Sequence, residues 1–174
     1  YAFTKNAQLK EISFPDSLDE IGANAFSYCY GLTNISFGSN LKTIGTGAFS
    51  NCKALTNIAF KNSLKNIGFG AFQCCENLED ILLPDSVELI GDYAFNNCKG
   101  REYFEFPASV KKIGSGVLGN WESLRRLKIP ASVQEIEDNN AWAKITLIIE
   151  KGSYAEEYAR QKGFKYETYE AVGR

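Results

Sequence analysis

The sequence contains no histidine. This absence excludes Ser-His-Asp and Cys-His catalysis, and it removes the commonest metal ligand in proteins. The five cysteines are an odd number, so an internal disulfide framework cannot include all of them. No apolar run approaches the roughly 18 residues that a membrane-spanning helix needs. The first residues, 1–5, have no apolar segment of the kind found in a signal peptide, so we expect such a peptide to be absent or already removed.

The sequence also lacks an excess of charge of either sign. Its formal net charge is −2, whereas a nucleic-acid or anionic-membrane surface needs a basic patch. No Walker-type phosphate loop and no metal-ligand cluster is present, and no carboxylates are expected at the spacing of a catalytic pair. We therefore expect no enzyme activity, no cofactor, no metal and no membrane insertion in this segment.

A repeat of 23 residues runs through most of the chain. One apolar column begins at Leu9, a second at Ile12 and a third at Phe14. Two further columns begin at Leu18 and Ile21. Each column keeps one chemical type through six repeats without insertion, except that Arg101 enters the leucine column. A repeat at fixed period predicts a solenoid, in which one short unit stacks on the next and equivalent residues form ladders along a shared core. The leucine column is predicted to continue to Leu147.

Two short strands are predicted in each repeat. Ile12 and Phe14 alternate with polar residues, which is typical of a half-buried strand, and a second strand is predicted near the invariant isoleucine. Equivalent strands should run parallel about 4.8 Å apart, and six of them would form a sheet about 29 Å long. The glycine that follows the isoleucine indicates either a positive φ or a close backbone approach. An Ala-Phe pair then crosses the core, and the pattern leaves open whether this leg is extended or a helical turn.

The two ends of the chain differ from the repeats. Residues 1–8 are predicted to be the remnant of a preceding repeat, 9–146 to be six 23-residue repeats, and 147–174 to be a C-terminal cap. Ser153 begins a capping box, Ala155 and Tyr158 share the inner face of the following helix, and Gly163 ends it. A last strand is predicted at 164–166. We also expect further repeats or a cap upstream, because an uncovered solenoid end exposes core.

Four cysteines, Cys29, Cys52, Cys75 and Cys98, occupy one column with Asn6 upstream and Trp121 downstream. A metal site or stacked disulfides would be a functional interpretation. Thiols in a row along an axis do not suit tetrahedral zinc, and their Cβ vectors point the same way. Core packing is the favoured interpretation, because free cysteine behaves as a small hydrophobe. Cys74 lies outside the column and is predicted to be the most exposed thiol.

The outward-facing strand positions are where a binding site is expected. In the C-terminal half they hold a mixed aromatic and charged patch, and in the middle repeats they hold polar residues that could form hydrogen bonds at its rim. An ordinary solvated sheet face is the alternative. The predicted binding residues are Asn57, Asp80, Tyr103, Glu105, Arg126 and Lys128.

The residues of one repeat resemble a known family. The run Leu32-x-x-Ile35-x-Phe37, followed by Leu41-x-x-Ile44-Gly45-x-x-Ala48-Phe49-x-x-Cys52, is similar to the BspA-type, or treponemal, leucine-rich repeat. The similarity extends from Leu9 to about Asn140, and the segment from 151 to 166 looks like the family's closing segment. The resemblance implies a surface-exposed or secreted protein of a host-associated bacterium, with a role in adhesion and no catalytic motif.

These observations together predict a mostly β, right-handed leucine-rich-repeat solenoid with stacked parallel strands and a C-terminal helix-strand cap. The expected partner is a protein or glycan ligand on a host or neighbouring cell. Two rival interpretations stay open at this point: a structural spacer, and a targeting segment of a larger surface protein or enzyme.

Overall fold

The computed structural model describes residues 2–138 and 142–170. Parts of three predicted segments therefore lie outside the described residues: Tyr1 of the remnant, 139–141 of the sixth repeat, and 171–174 of the cap. Within the described ranges the chain is a solenoid of stacked turns with two columns of parallel strands.

The first strand column carries the outward-facing positions that the sequence singles out. Its members are β1 (Glu11–Ser13), β3 (Asn34–Ser36), β5 (Asn57–Ala59), β7 (Asp80–Leu82), β9 (Tyr103–Glu105), β11 (Arg126–Ile129), β13 (Thr146–Glu150) and β14 (Tyr166–Tyr169). The strands β3, β5 and β9 show the exposed–buried–exposed alternation that the sequence predicts for a half-buried strand.

The second strand column consists of two-residue strands. They are β2 (Glu20–Ile21), β4 (Thr43–Ile44), β6 (Asn66–Ile67), β8 (Leu89–Ile90), β10 (Lys112–Ile113) and β12 (Glu135–Ile136). They form one continuous six-stranded sheet in which each isoleucine pairs with the isoleucine of the next turn. Ile44, Ile67 and Ile90 are at most 2% exposed, so the predicted buried row is confirmed.

The first strand column is not the continuous six-stranded sheet that the sequence predicts. It divides into β1–β3, β5–β7 and the four-stranded order β14–β13–β11–β9. Strands β3 and β5 stay packed against each other although their ladder is interrupted. The prediction was wrong here because apolar spacing fixes which side chains face the core, but not whether each successive pair of backbones meets in hydrogen-bonding register.

Close backbone approach explains the glycine that follows the isoleucine in the second, third and fourth repeats. A Cβ on Gly68 would lie 2.8 Å from the carbonyl carbon of Gly45, and a Cβ on Gly91 would lie 2.8 Å from that of Gly68. Gly45, Gly68 and Gly91 are absent from the residues with positive φ. Of the two explanations that the sequence leaves open, stacking distance is therefore the correct one.

The return leg that carries the Ala-Phe pair is neither a regular strand nor a helix. Its amides alternate between two kinds of bond: Phe49 N donates to Ala71 O in the next turn at 2.8 Å, and Ala48 N donates to Gly45 O within its own turn at 3.2 Å. Residues with positive φ recur at fixed places in this leg, for example Gly47 at 60° and Asn51 at 61°. This alternation gives the backbone amides of the return leg hydrogen-bond partners without a long helix or strand.

Aromatic rings and thiols fill the core as parallel ladders. Phe26, Phe49, Phe72 and Phe95 stack in sequence with centroids 5.3–5.5 Å apart. Each column thiol is buried and donates to a phenylalanine carbonyl, as Cys52 Sγ does to Phe26 O at 3.3 Å. All five cysteines are free, so the packing interpretation of this column is confirmed.

The C-terminal end departs from the 23-residue register. Leu147 pairs with Leu127, twenty residues earlier, and not with the leucine column through Leu124 as the sequence predicts. The reason is burial: this register places Leu147 and Ile149 inside, each 0% exposed, whereas continued 23-residue spacing would direct Glu150 to the core.

The predicted capping helix is confirmed. It is α1 (Tyr154–Lys162), with Ser153 as N-cap and Gly163 at φ 70° as C-cap, and its buried residues are Ala155, Tyr158 and Ala159. Glu156 completes the N-terminal cap by accepting from Gly152 N at 2.6 Å. The final strand, β14, begins at Tyr166, two residues later than the predicted 164–166.

Replacing Ile67 with alanine tests the buried row. The substitution removes core atoms between two neighbouring isoleucines, so we expect the free energy of unfolding to fall by about 2–5 kcal/mol. Urea denaturation followed by circular dichroism measures this loss. The matched control is Leu89→Ala in the same sheet, since Leu89 is 44% exposed and its truncation should cost about 1 kcal/mol or less. Equal losses for the two variants would contradict the assigned core.

Thiol counting tests the cysteine column. Burial raises the pKa of Cys52 to about 12, which suppresses the reactive thiolate. A mild thiol reagent should therefore modify only the half-buried Cys74 quickly in the native chain, and all five thiols after unfolding. Four or more fast thiols in the native chain, or none after unfolding, would contradict this arrangement.

Candidate functional site

The six predicted binding residues all lie on the outward face of the first strand column. Tyr103 pairs in register with Arg126, and Glu105 pairs with Lys128, so these four form one compact group on β9 and β11. Asn57 pairs with Asp80 on β5 and β7, on the other side of the interruption between β7 and β9. The structure thus divides the predicted set into two groups, here called the four-residue cluster and the Asn57–Asp80 pair.

The four-residue cluster is held together by polar contacts. Tyr103 Oη donates to Glu105 Oε2 at 2.8 Å, and Lys128 Nζ lies 2.7 Å from Glu105 Oε1. Arg126 reaches across β13 and lies 2.8 Å from Glu167 of β14. Lys128 also lies 5.6 Å from the ring centroid of Tyr169. The cap therefore supports the cluster, and every charge in it has a partner within the chain.

Titration of the cluster follows from these contacts. Partial burial raises the pKa of the Glu105 carboxyl, but hydrogen bonds from Lys128 and Tyr103 outweigh it, so the pKa lies below its ordinary value. Burial, and then the hydrogen bond to Glu105, raise the pKa of Tyr103. The hydrogen bond to Glu105 raises the pKa of Lys128. At neutral pH the cluster is one carboxylate between a neutral phenol and an ammonium.

A groove of about 580 Å³ lies between β7 and β9. Its walls are formed by Asn57, Asp80, Leu82, Arg101, Tyr103 and Glu105, and Ile81 and Phe104 contribute to its lining. Arg101 forms an ion pair with Asp80 across this groove. Four of the six predicted residues therefore line one groove, whereas Arg126 and Lys128 do not.

The chain around this groove departs from the neighbouring repeats at three residues, Gly100, Arg101 and Trp121. Arg101 stands in the leucine column and is exposed, in contrast to the buried Leu78 and Leu124. Gly100 adopts φ 60°, and a side chain there would overlap the Trp121 ring. Trp121 packs edge-on against Phe104 with centroids 5.2 Å apart. The indole thus packs against the backbone of Gly100.

Paired charges are not special to this surface. On the second strand column side, Glu88 lies between Lys65 at 2.7 Å and Lys111 at 2.8 Å. Hydrogen bonds from these two lysines lower the pKa of Glu88 to about 2. Ion pairs between successive turns are therefore a general feature of the stack, and they do not by themselves indicate a ligand site. The exposed apolar side chains of Leu82 and Tyr103 distinguish the groove more clearly.

Several residues of this surface were not predicted. Arg101 and Leu82, the latter 67% exposed, are not among the predicted binding residues. Glu167 and Tyr169 were assigned to the cap alone. One signal in the sequence could have drawn attention to this surface: a single repeat has both an arginine in the leucine column and a tryptophan in the cysteine column.

No group of three or more His, Cys, Asp or Glu side chains within 2–138 and 142–170 could hold a metal ion. In the same ranges, no helix has the length and apolar character that crossing a membrane requires.

The stacked parallel strands, repeated core ladders and terminal helix define a leucine-rich-repeat solenoid. Six copies of the BspA type leucine rich repeat region match residues 19–149, and the chain belongs to this family. No curated protein matches the chain in sequence.

Solved bacterial structures share the fold. The chain is similar to a leucine-rich repeat protein from Bacteroides ovatus, with 26% identity and a TM-score of 0.72 over 80% of this chain. It spans only 37% of that protein. It is also similar to the T. pallidum leucine rich repeat protein, with 23% identity, a TM-score of 0.69, and coverage of 94% of this chain and 88% of that one. A leucine rich cell surface protein from Faecalibacterium prausnitzii matches with 21% identity and a TM-score of 0.56, over 82% of this chain and 55% of that one.

Replacing Glu105 with glutamine tests the electrostatics of the cluster. The carboxylate raises the pKa of Tyr103 through its hydrogen bond and charge, so Glu105→Gln should lower the pKa of Tyr103. Even in this variant the pKa of Tyr103 should stay above its ordinary value, because burial is the largest cause of the upward shift. NMR titration with ¹³C-labelled tyrosine measures the change, and Glu88→Gln on the second strand column is the matched control. A pKa of Tyr103 that responds equally to both substitutions would contradict the described contact.

Proposed function

We propose that this chain is a non-catalytic binding module of a cell-surface or secreted protein, which binds a protein or glycan partner through the outward face of the first strand column. The observation that carries the proposal is the exposure of Leu82 and Tyr103, 67% and 46%, beside a groove on that face. Large apolar side chains at the surface are costly to leave in water, and tyrosine and arginine are favoured interface anchors.

The comparisons support a surface location. One relative is a leucine rich cell surface protein, and membership of the BspA-type family agrees with the adhesion role that the resemblance implies. We propose host matrix proteins, or the surfaces of other cells, as the source of the partner. An extended partner suits the solenoid, because successive turns present equivalent positions in a row.

A structural spacer is the second candidate function. It is favoured by one observation: the charges of the four-residue cluster are paired within the chain or with the cap. Exposed ion pairs of this kind contribute little binding energy when a partner must replace them. A targeting role within a larger enzyme is compatible with the same surface, since the chain spans 37% of its Bacteroides ovatus relative.

A double substitution distinguishes binding from spacing. Tyr103→Ala with Arg126→Ala removes two paired anchors, and we expect binding to weaken by about 2 kcal/mol or more. The measurement is surface plasmon resonance of the 174-residue chain against immobilised matrix proteins and oligosaccharides. The matched control is Leu89→Ala with Lys112→Ala, which are in register on the second strand column.

The possible results separate the two candidates. Binding that is lost only in the Tyr103 and Arg126 variant supports the proposed surface. Detected binding that both double variants retain would overturn the site assignment. No binding to any immobilised partner would overturn the binding proposal in favour of the spacer.

A further inference from the structure

The backbone edges of the two strands that flank the groove, β7 and β9, are not hydrogen-bonded to each other. β7 is bonded to β5 and β9 to β11, but β7 and β9 are not hydrogen-bonded neighbours in the described chain. At the equivalent positions of the first two turns, Phe14 N donates to Ser36 O and Thr33 N donates to Lys10 O, both at 2.8 Å. The corresponding amides at the groove are those of Leu83 and Glu102. Unpaired strand edges of this kind are templates for another extended chain.

Contacts of Gly100 and Trp121 fix the path of the chain next to β9. Gly100 N donates to Leu78 O at 3.0 Å, which redirects the chain just before β9. The Trp121 ring covers Gly100 and donates from Nε1 to Phe95 O at 2.8 Å. These buried contacts hold the entry to β9 in place on one side of the groove.

The groove offers apolar contact for a side chain. Leu82 and Tyr103 stand at its rim, and Ile81 and Phe104, only 9% and 7% exposed, lie at its base. Side chains of an extended peptide alternate between two faces. One apolar side chain of such a peptide could therefore pack against this surface while its backbone meets the strand edges.

The charge of the groove favours a basic peptide. Three carboxylates, Glu79, Asp80 and Glu105, line it together with one guanidinium, Arg101. The lysines that pair with Glu79 and Glu105, namely Lys99 and Lys128, lie outside this lining. Exposed ion pairs are weak and exchange readily, so a lysine or arginine from a ligand could replace either one.

We propose that the β7–β9 groove binds an extended peptide segment of a partner protein, in which one apolar residue is flanked by basic residues. This rests on the proposed binding function and makes the partner's chemistry specific. Backbone hydrogen bonds to the amides of Leu83 and Glu102 supply the strand-like contact. The Leu82 and Tyr103 side chains contact the apolar residue, and the carboxylates attract the flanking charges.

A synthetic peptide tests the proposal directly. The probe is the capped heptapeptide Thr-Lys-Val-Leu-Val-Lys-Thr, added to the ¹⁵N-labelled 174-residue chain. We expect saturable NMR shift changes at the amides of Leu83 and Glu102, with a dissociation constant below about 1 mM. A twin peptide with glutamate in place of both lysines should bind at least about tenfold more weakly.

Matched variants of the chain localise the effect. Leu82→Asp should abolish the shifts, whereas Leu89→Asp, which alters an exposed leucine of the second strand column, should leave them unchanged. Circular dichroism verifies that both variants fold. No saturable shift for the basic peptide, equal binding of the acidic twin, or shifts confined to other surfaces would each overturn the proposal. Saturable shifts at Leu83 and Glu102 with maltohexaose but not with the peptide would overturn it in favour of a glycan site.

The experiments distinguish failure of the groove proposal from failure of the proposed binding function. If the chain binds an immobilised matrix protein, and this binding is insensitive to Leu82→Asp and to competition by the heptapeptide, the binding function stands and the groove proposal is wrong. If no protein binds but the heptapeptide does, the groove assignment stands without the adhesion role.

Discussion

The structure depends on one constraint: a turn of 23 residues cannot satisfy its own backbone. Gly68 N donates back to Ile44 O in the preceding turn, while Phe72 N donates forward to Ala94 O in the following turn. An unmade hydrogen bond in a dry core is costly, so each turn is stable only between neighbours. This requirement keeps the backbones close, and at Gly45, Gly68 and Gly91 a Cβ would lie within about 3 Å of the backbone of the preceding turn.

The same constraint explains why the cysteine column accepts tryptophan. Each column member donates to a phenylalanine carbonyl of the preceding turn: Cys75 Sγ to Phe49 O at 3.2 Å, and Trp121 Nε1 to Phe95 O at 2.8 Å. A thiol and an indole differ greatly in size, but both can donate a hydrogen bond. The column is therefore selected for a buried donor as well as for apolar bulk.

The stacked core could be predicted from the sequence because the apolar residues recur at a fixed period. Features that depend on local backbone geometry could not be predicted in this way. Columns such as that of Ile67 identify the core without any knowledge of the backbone path. The interrupted first strand column could not be predicted, because ladder bonds depend on small shifts between turns that leave the apolar spacing unchanged. The pairing of Leu147 with Leu127 was missed because a leucine also happens to stand 23 residues after Leu124. Of the candidate site, the exposed face was predictable from alternation, whereas the groove was not, because it lies where the ladder between β7 and β9 is interrupted.

Hydrogen-bond scalar couplings measured by NMR test the central claim most directly, because they report which carbonyl each amide contacts. The account predicts a coupling from the Gly68 nitrogen to the Ile44 carbonyl carbon, and one from the Phe72 nitrogen to the Ala94 carbonyl carbon. One partner lies in the preceding turn and the other in the following turn, as stacking requires. Couplings from these amides to residues within their own repeat, or rapid exchange of both amides with solvent in the folded chain, would contradict the stacked architecture and every site derived from it.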